Sequence, residues 1–163
     1  MGTAHAGKAQ ALSRLGRHAE ALKECRALAE SGKHALAVPE AVAVAAQAPQ
    51  AGDILYLAAS VCARAAASVL KDAKLPQAER DKLAEQYAAR AVEILRTCKG
   101  TRFFAHRGHL DDLKTAEEFQ PLRGRTDFQK LLKECIEKPQ PESKGTPQPD
   151  REAVLQRRRV EQR

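Results

Sequence analysis

The chain has no Asn and no Trp, one Met, two Tyr and four Phe, and its 163 residues contain no run of 18 apolar side chains. Without such a run no segment is expected to span a membrane. The opening residues, Met1-Gly2-Thr3-Ala4-His5-Ala6-Gly7-Lys8, lack the apolar core of a secretory signal. A soluble, cytoplasmic protein is the expectation. The four cysteines, Cys25, Cys62, Cys98 and Cys135, stand 37, 36 and 37 residues apart, so no CxxC pair exists. The close ligand pairs of a structural zinc site are therefore missing, and the thiols are expected as small, reduced, buried apolar residues. The length allows one domain, or one domain with a tail, and excludes a protein-kinase fold or a barrel.

What the chain has in abundance is Ala, with 31 residues against 32 for Leu, Ile, Val and Phe together. That apolar content is close to the level at which chains stay unfolded, but the charge pattern argues the other way. Twenty-eight Lys and Arg against 21 Asp and Glu give +7, with both signs mixed along the chain. Disorder usually couples low hydrophobicity to a larger imbalance. Ala is the best helix former and lets helices approach closely, so an Ala-rich chain without Trp reads as all-α.

Along the chain, a first helix is expected over residues 3–14 and a Gly turn at Gly16. In the next, residues 18–31, Ala21, Leu22, Cys25, Leu28 and Ala29 fall on one face. A third helix is expected to begin at Pro39, which suits a first helical position, and to end near Ala48. Asp53 is expected to cap a long helix reaching about Lys71, and another runs from Gln77 to Thr97. A short helix from His109 to Thr115 and a last one from Thr126 to Glu137 complete a helical body over residues 1–138. Residues 139–163 change composition, with four Pro in 139–150 and then an Arg-rich end, and read as a linker and disordered basic tail.

Ala9, Leu12, Gly16, His18, Ala21, Leu22, Cys25 and Leu28 resemble one tetratricopeptide repeat, with Ala9 and Ala21 as the small crossing residues and Gly16 as the turn. Asp53 to Thr97 looks like a second helix pair, with Ala59 and Ala91 at its crossings. The expected architecture is thus antiparallel helix pairs stacked as a short solenoid. A further resemblance joins Leu55-Tyr56-Leu57-Ala58-Ala59-Ser60-Val61-Cys62, Tyr87-Ala88-Ala89-Arg90-Ala91-Val92-Glu93-Ile94-Leu95 and Phe119-Gln120-Pro121-Leu122-Arg123-Gly124-Arg125-Thr126-Asp127-Phe128. These segments are similar to the repeat region that follows the kinase domain in many planctomycete serine/threonine protein kinases. The resemblance implies a helical module that docks partners or sits beside a kinase. The chain itself has no G-x-G-x-x-G, no H-R-D and no D-F-G, so it implies no phosphoryl transfer here.

His106 and His109 with Cys98 and Cys135 can be drawn as a metal site, and a Cys-His pair as a nucleophile. Single cysteines on apolar helix faces fit core packing better in both cases, so no catalytic residue, metal or cofactor is expected. The Arg157-Arg158-Arg159 cluster offers weak polyanion binding, but no aromatic residue lies beside it for base stacking, and nucleic acid is not the expected partner.

The expected activity is binding of a protein or peptide in a repeat groove. His5, Lys8 and Arg64 would be the basic contacts, suited to an acidic ligand. A carboxylate clamp for chaperone tails is excluded, because it relies on Asn. Alternatives are a spacer that binds nothing, a regulatory fragment of a kinase, and a polyanion-binding tail. Two recognisable repeats are fewer than the three usually needed for stability, so self-association would supply the missing stacking.

Overall fold

The computed structural model describes residues 2–137, and the expected linker and tail, 139–163, lie outside the described residues. The described residues form α1 (Gly2–Arg14), α2 (His18–Glu30), α3 (His34–Gln47), α4 (Gly52–Val69), α5 (Gln77–Gly100), α6 (Arg107–Thr115) and α7 (Thr126–Glu137). Two 3-10 segments, Phe103–Ala105 and Glu117–Leu122, frame α6. No strand occurs among them, in line with the all-α expectation.

The first two helix ends repeat one device. Gly16 and Gly32 take φ of +73° and +78°, the left-handed region that only glycine enters without strain. At the first, Gly16 N–H reaches the Ser13 carbonyl and Arg17 N–H the Leu12 carbonyl. At the second, Gly32 reaches Ala29 and Lys33 reaches Leu28, so the last carbonyls of both helices are satisfied by the same paired bonds.

Two expected helix starts are corrected. α3 begins at His34, with Pro39 inside it. The Lys33 carbonyl already receives Leu36 and Ala37 N–H groups, so the helix follows the Gly32 turn directly. Pro39 is tolerated because it is exposed and the carbonyl it leaves without a partner belongs to Ala35, also exposed to water. Asp53 does not cap α4. Ala51 holds that position without a side-chain bond, and Asp53 lies in the first turn, where its charge still favours the helix N-terminus.

α4 is the centre of the fold. It packs on α2, α3, α5 and the 117–122 segment, and 11 of its 18 residues are buried. Among these, Ala58, Ala59, Ala63, Ala65 and Ala66 are small enough to admit neighbours on several sides at once. Among the described residues α4 is the one helix long and apolar enough to cross a membrane, yet most of it is enclosed by the other elements. The four alanines expected at helix crossings, Ala9, Ala21, Ala59 and Ala91, are each 0% exposed.

The few aromatic residues are concentrated where the C-terminal third docks on α4. Tyr56 lies 5.4 Å from Phe103, 6.3 Å from Phe104 and 5.2 Å from Phe119, ring centre to ring centre. Edge-to-face and tilted contacts of this kind add to the area they bury. Gly52 makes the docking close: a Cβ there would stand 2.5 Å from Thr101 Oγ1 and 2.6 Å from Phe103 Cβ. Next to it, Arg102 holds φ +66°, the one non-glycine residue with positive φ among those described.

Gly52→Ala is therefore expected to lower unfolding free energy by about 1–3 kcal/mol. Arg102→Gly should raise it by roughly 0.5–1 kcal/mol, relief of left-handed strain exceeding the added freedom of the unfolded chain. Urea unfolding of both variants checks the pair; an unchanged midpoint for Gly52→Ala contradicts the close approach.

Candidate functional site

The C-terminal half of α4 carries Arg64, Ala67 and Ser68 at helical spacing on one face, and Lys71 follows in the turn just past its end. This face, the end of α2 and the 117–122 segment enclose an open cleft of about 650 Å³. The 117–122 segment is anchored by buried Phe119 and Leu122, which leaves Glu117 and Gln120 exposed beside the cleft. Ala29, Ala67, Leu70 and Pro121 supply apolar lining, and Glu30, Glu117 and Glu118 supply carboxylates. A second cleft of about 230 Å³ shares Leu70 and Pro121 with the first and continues past Ala66, Ala84 and Ala88 to Asp81, Glu85 and Arg125.

Charge in this double groove is negative although the chain as a whole is +7. Five carboxylates line it against three cations, Arg64, Lys71 and Arg125. Arg64 gives Nη1 to Glu30 at 3.0 Å and Nη2 to Glu118 at 3.4 Å. Arg125 reaches Glu85 at 2.5 Å and Asp127 at 2.9 Å. Among the described lining residues Lys71 is the cation without an ion pair.

The expected basic contact set does not assemble. His5 lies on α1 with its side chain outside the described residues. Lys8 is exposed, pairs with Glu24 across α1 and α2 at 2.6 Å, and does not line the groove. Arg64 is in the groove, but its guanidinium is already shared between two carboxylates, so it offers no open fork to an acidic ligand.

A second constellation was not anticipated. His34, buried at the start of α3, stands 3.3 Å from Asp72 Oδ2 through Nε2 and 3.2 Å from the Tyr87 hydroxyl through Nδ1. The carboxylate can only accept, so Nε2–H donates to Asp72, and the Tyr87 hydroxyl, which can donate or accept, meets Nδ1. None of the three lines either half of the groove. They tie α3, the 70–76 connection and α5 together. The repeated Gly16-Arg17-His18-Ala19 and Gly32-Lys33-His34-Ala35 is the signal that could have placed His34 at a helix start.

The thiols are structural. Burial pushes Cys25, Cys62 and Cys98 up to about 12, and raises Cys135, so none forms a thiolate readily near neutral pH. Cys98 donates to the Gly52 carbonyl at 3.3 Å. His109 stacks on Phe103 with ring centres 3.9 Å apart and donates Nδ1–H to the Phe103 carbonyl. Among the described residues no group of three or more His, Cys, Asp or Glu is placed to hold a metal ion.

No protein-family model, curated protein or solved structure matches the chain.

Three carboxyl groups are held below their usual range. Asp72 is lowered by the Lys74 N–H and then by His34, Asp127 by Arg125, and Glu134 by Lys99. A depressed folded value means the contribution to stability is present above the unfolded pKa near 4 and disappears as pH falls through the folded value. Urea stability should therefore decline below about pH 4, with a smaller decline in Asp72→Asn and Asp127→Asn. Equal declines in wild type and both variants would contradict these pairings.

Proposed function

We propose that the chain is a non-catalytic helical-repeat module of tetratricopeptide type that binds a polypeptide segment in the double groove beside α4. Element spacing supports the repeat reading. α1 and α3 start at residues 2 and 34, a separation of 32, and α2 and α4 start at residues 18 and 52, a separation of 34. The repeat period is about 34. By this spacing α3 and α4 would form the second repeat, while α4 also packs extensively on α5, the pair expected from residues 53–97. The three segments that resemble the kinase-associated repeat region lie on α4, on α5 and across 119–128, and α4 packs on both α5 and the 117–122 segment. A docking role beside a kinase in another chain would thus use one continuous part of the molecule.

The observation that carries the ligand class is the groove's chemistry: an apolar centre at Leu70 and Pro121 between carboxylates whose nearby arginines are already paired. Such a surface favours a segment with apolar residues flanked by Arg or Lys, opposite in sign to the ligand expected from His5, Lys8 and Arg64. Leu70 is 44% exposed and so is available to a partner.

Panning a displayed random-peptide library on the full chain tests this. Sequences with two or more apolar residues next to two or more basic ones should enrich, and Leu70→Glu should weaken their binding roughly tenfold with helical circular dichroism unchanged. No enrichment, or equal binding by Leu70→Glu, removes the proposal.

A further inference from the structure

We infer that the segment held in the groove is dipolar, with an acidic and a basic group on one side of its apolar residues and a basic group on the other. The inference rests on the peptide-docking reading of the groove and adds the charge pattern of the ligand. The total charge of the lining does not decide what a ligand must bring, because most of it is already matched within the protein. Arg64 is shared by Glu30 and Glu118, and Arg125 by Glu85 and Asp127. Three lining charges are left over. Among the described residues Glu117 and Asp81 have no cation partner, and Lys71 has no anion partner. Asp81 accepts from the neutral amide of Gln77 at 2.7 Å, which leaves its charge in place.

Lys71 is the informative one of the three. Both oxygens of its sequence neighbour Asp72 are taken, Oδ2 by His34 Nε2–H at 3.3 Å and Oδ1 by the Lys74 N–H at 3.0 Å. The Lys71 ammonium, exposed just past the end of α4, is therefore open to whatever a ligand presents there. A ligand flanked by bases alone would set like charge against it, and such juxtapositions are how a surface rejects a sequence. Position fixes the order of the groups. Leu70 and Pro121 belong to both halves of the groove, whereas Glu117 and Lys71 line the larger half alone and Asp81 the smaller half alone. The unmatched charges thus flank the apolar centre, one of each sign on the larger side and a negative one on the smaller side. The complementary ligand carries a base for Glu117 and an acid for Lys71, then apolar residues, then a base for Asp81.

The test is a displayed library of short segments with a fixed Leu-Leu centre and flanking positions drawn from Asp, Lys and Ser, panned on the full chain. Wild type should enrich Asp and Lys at separate positions on one side of the centre and Lys on the other side. Lys71→Glu should change that Asp to Lys and leave the far side as it was. Asp81→Lys should change the far-side Lys to Asp and leave the Asp that faces Lys71. Both side chains are exposed, so the helical circular dichroism of the variants should match wild type. With one enriched segment as a fluorescein-labelled peptide, replacing its Asp by Ser should weaken binding to wild type roughly threefold and leave binding to Lys71→Ala unchanged. The inference is overturned if wild type shows no Asp preference, if that preference survives in Lys71→Glu, or if the far-side Lys survives in Asp81→Lys. Should bases enrich on both sides with no acid, the dipolar pattern fails and the peptide-binding reading stands. Should neither this library nor the random one yield a sequence, that reading fails as well.

Discussion

Close packing around α4 is the constraint on which the other features depend. A helix buried on most of its circumference must meet each neighbour at short range, and the alanines at 58, 59, 63, 65 and 66 make this possible. With larger side chains there, α2, α3, α5 and the 117–122 segment could not all touch it. The aromatic residues complete the arrangement from the other direction. Tyr56 of α4 meets Phe103, Phe104 and Phe119, and Gly52 removes the one Cβ that would hold the 101–104 region away. The groove follows from the same packing, because its lining comes from the second half of α4 and from the segment those aromatics dock.

Much of this was legible in the sequence. The apolar face of α2, Ala21, Leu22, Cys25, Leu28 and Ala29, is buried as its spacing predicts; in α7 the helical spacing of Phe128, Leu131, Leu132 and Cys135 puts all four on the core side, and Leu132 is only half-buried there. Ala9, Ala21, Ala59 and Ala91 are fully buried. The start of α3 was hidden because a Pro is read as a helix boundary, whereas Pro39 lies on an exposed face where a missing hydrogen bond is replaced by water. Periodicity also could not place the 103–105 and 117–122 segments. Their short 3-10 turns are held by tertiary contacts of Phe104, Phe119 and Leu122 and carry no repeat of their own.

The groove was less legible than the fold. Sequence identified Arg64 but gave it a free charge, since nothing in residues 60–68 announces Glu30 or Glu118 as partners, which arrive from 34 and 54 positions away. Charge counted along a chain and charge counted across a surface are different quantities. Here the first is +7 and the second, in the groove, is negative. That reversal is why the ligand class we propose is basic and not acidic.

Native-state hydrogen exchange tests most directly whether α4 is the element that holds the body together. Amides of residues 56–69 should be the slowest in the chain and should open only with global unfolding, at the free energy measured in urea. Faster exchange in α4 than in α1 or α3, or a separate opening of α4 well below the global free energy, would contradict its central role.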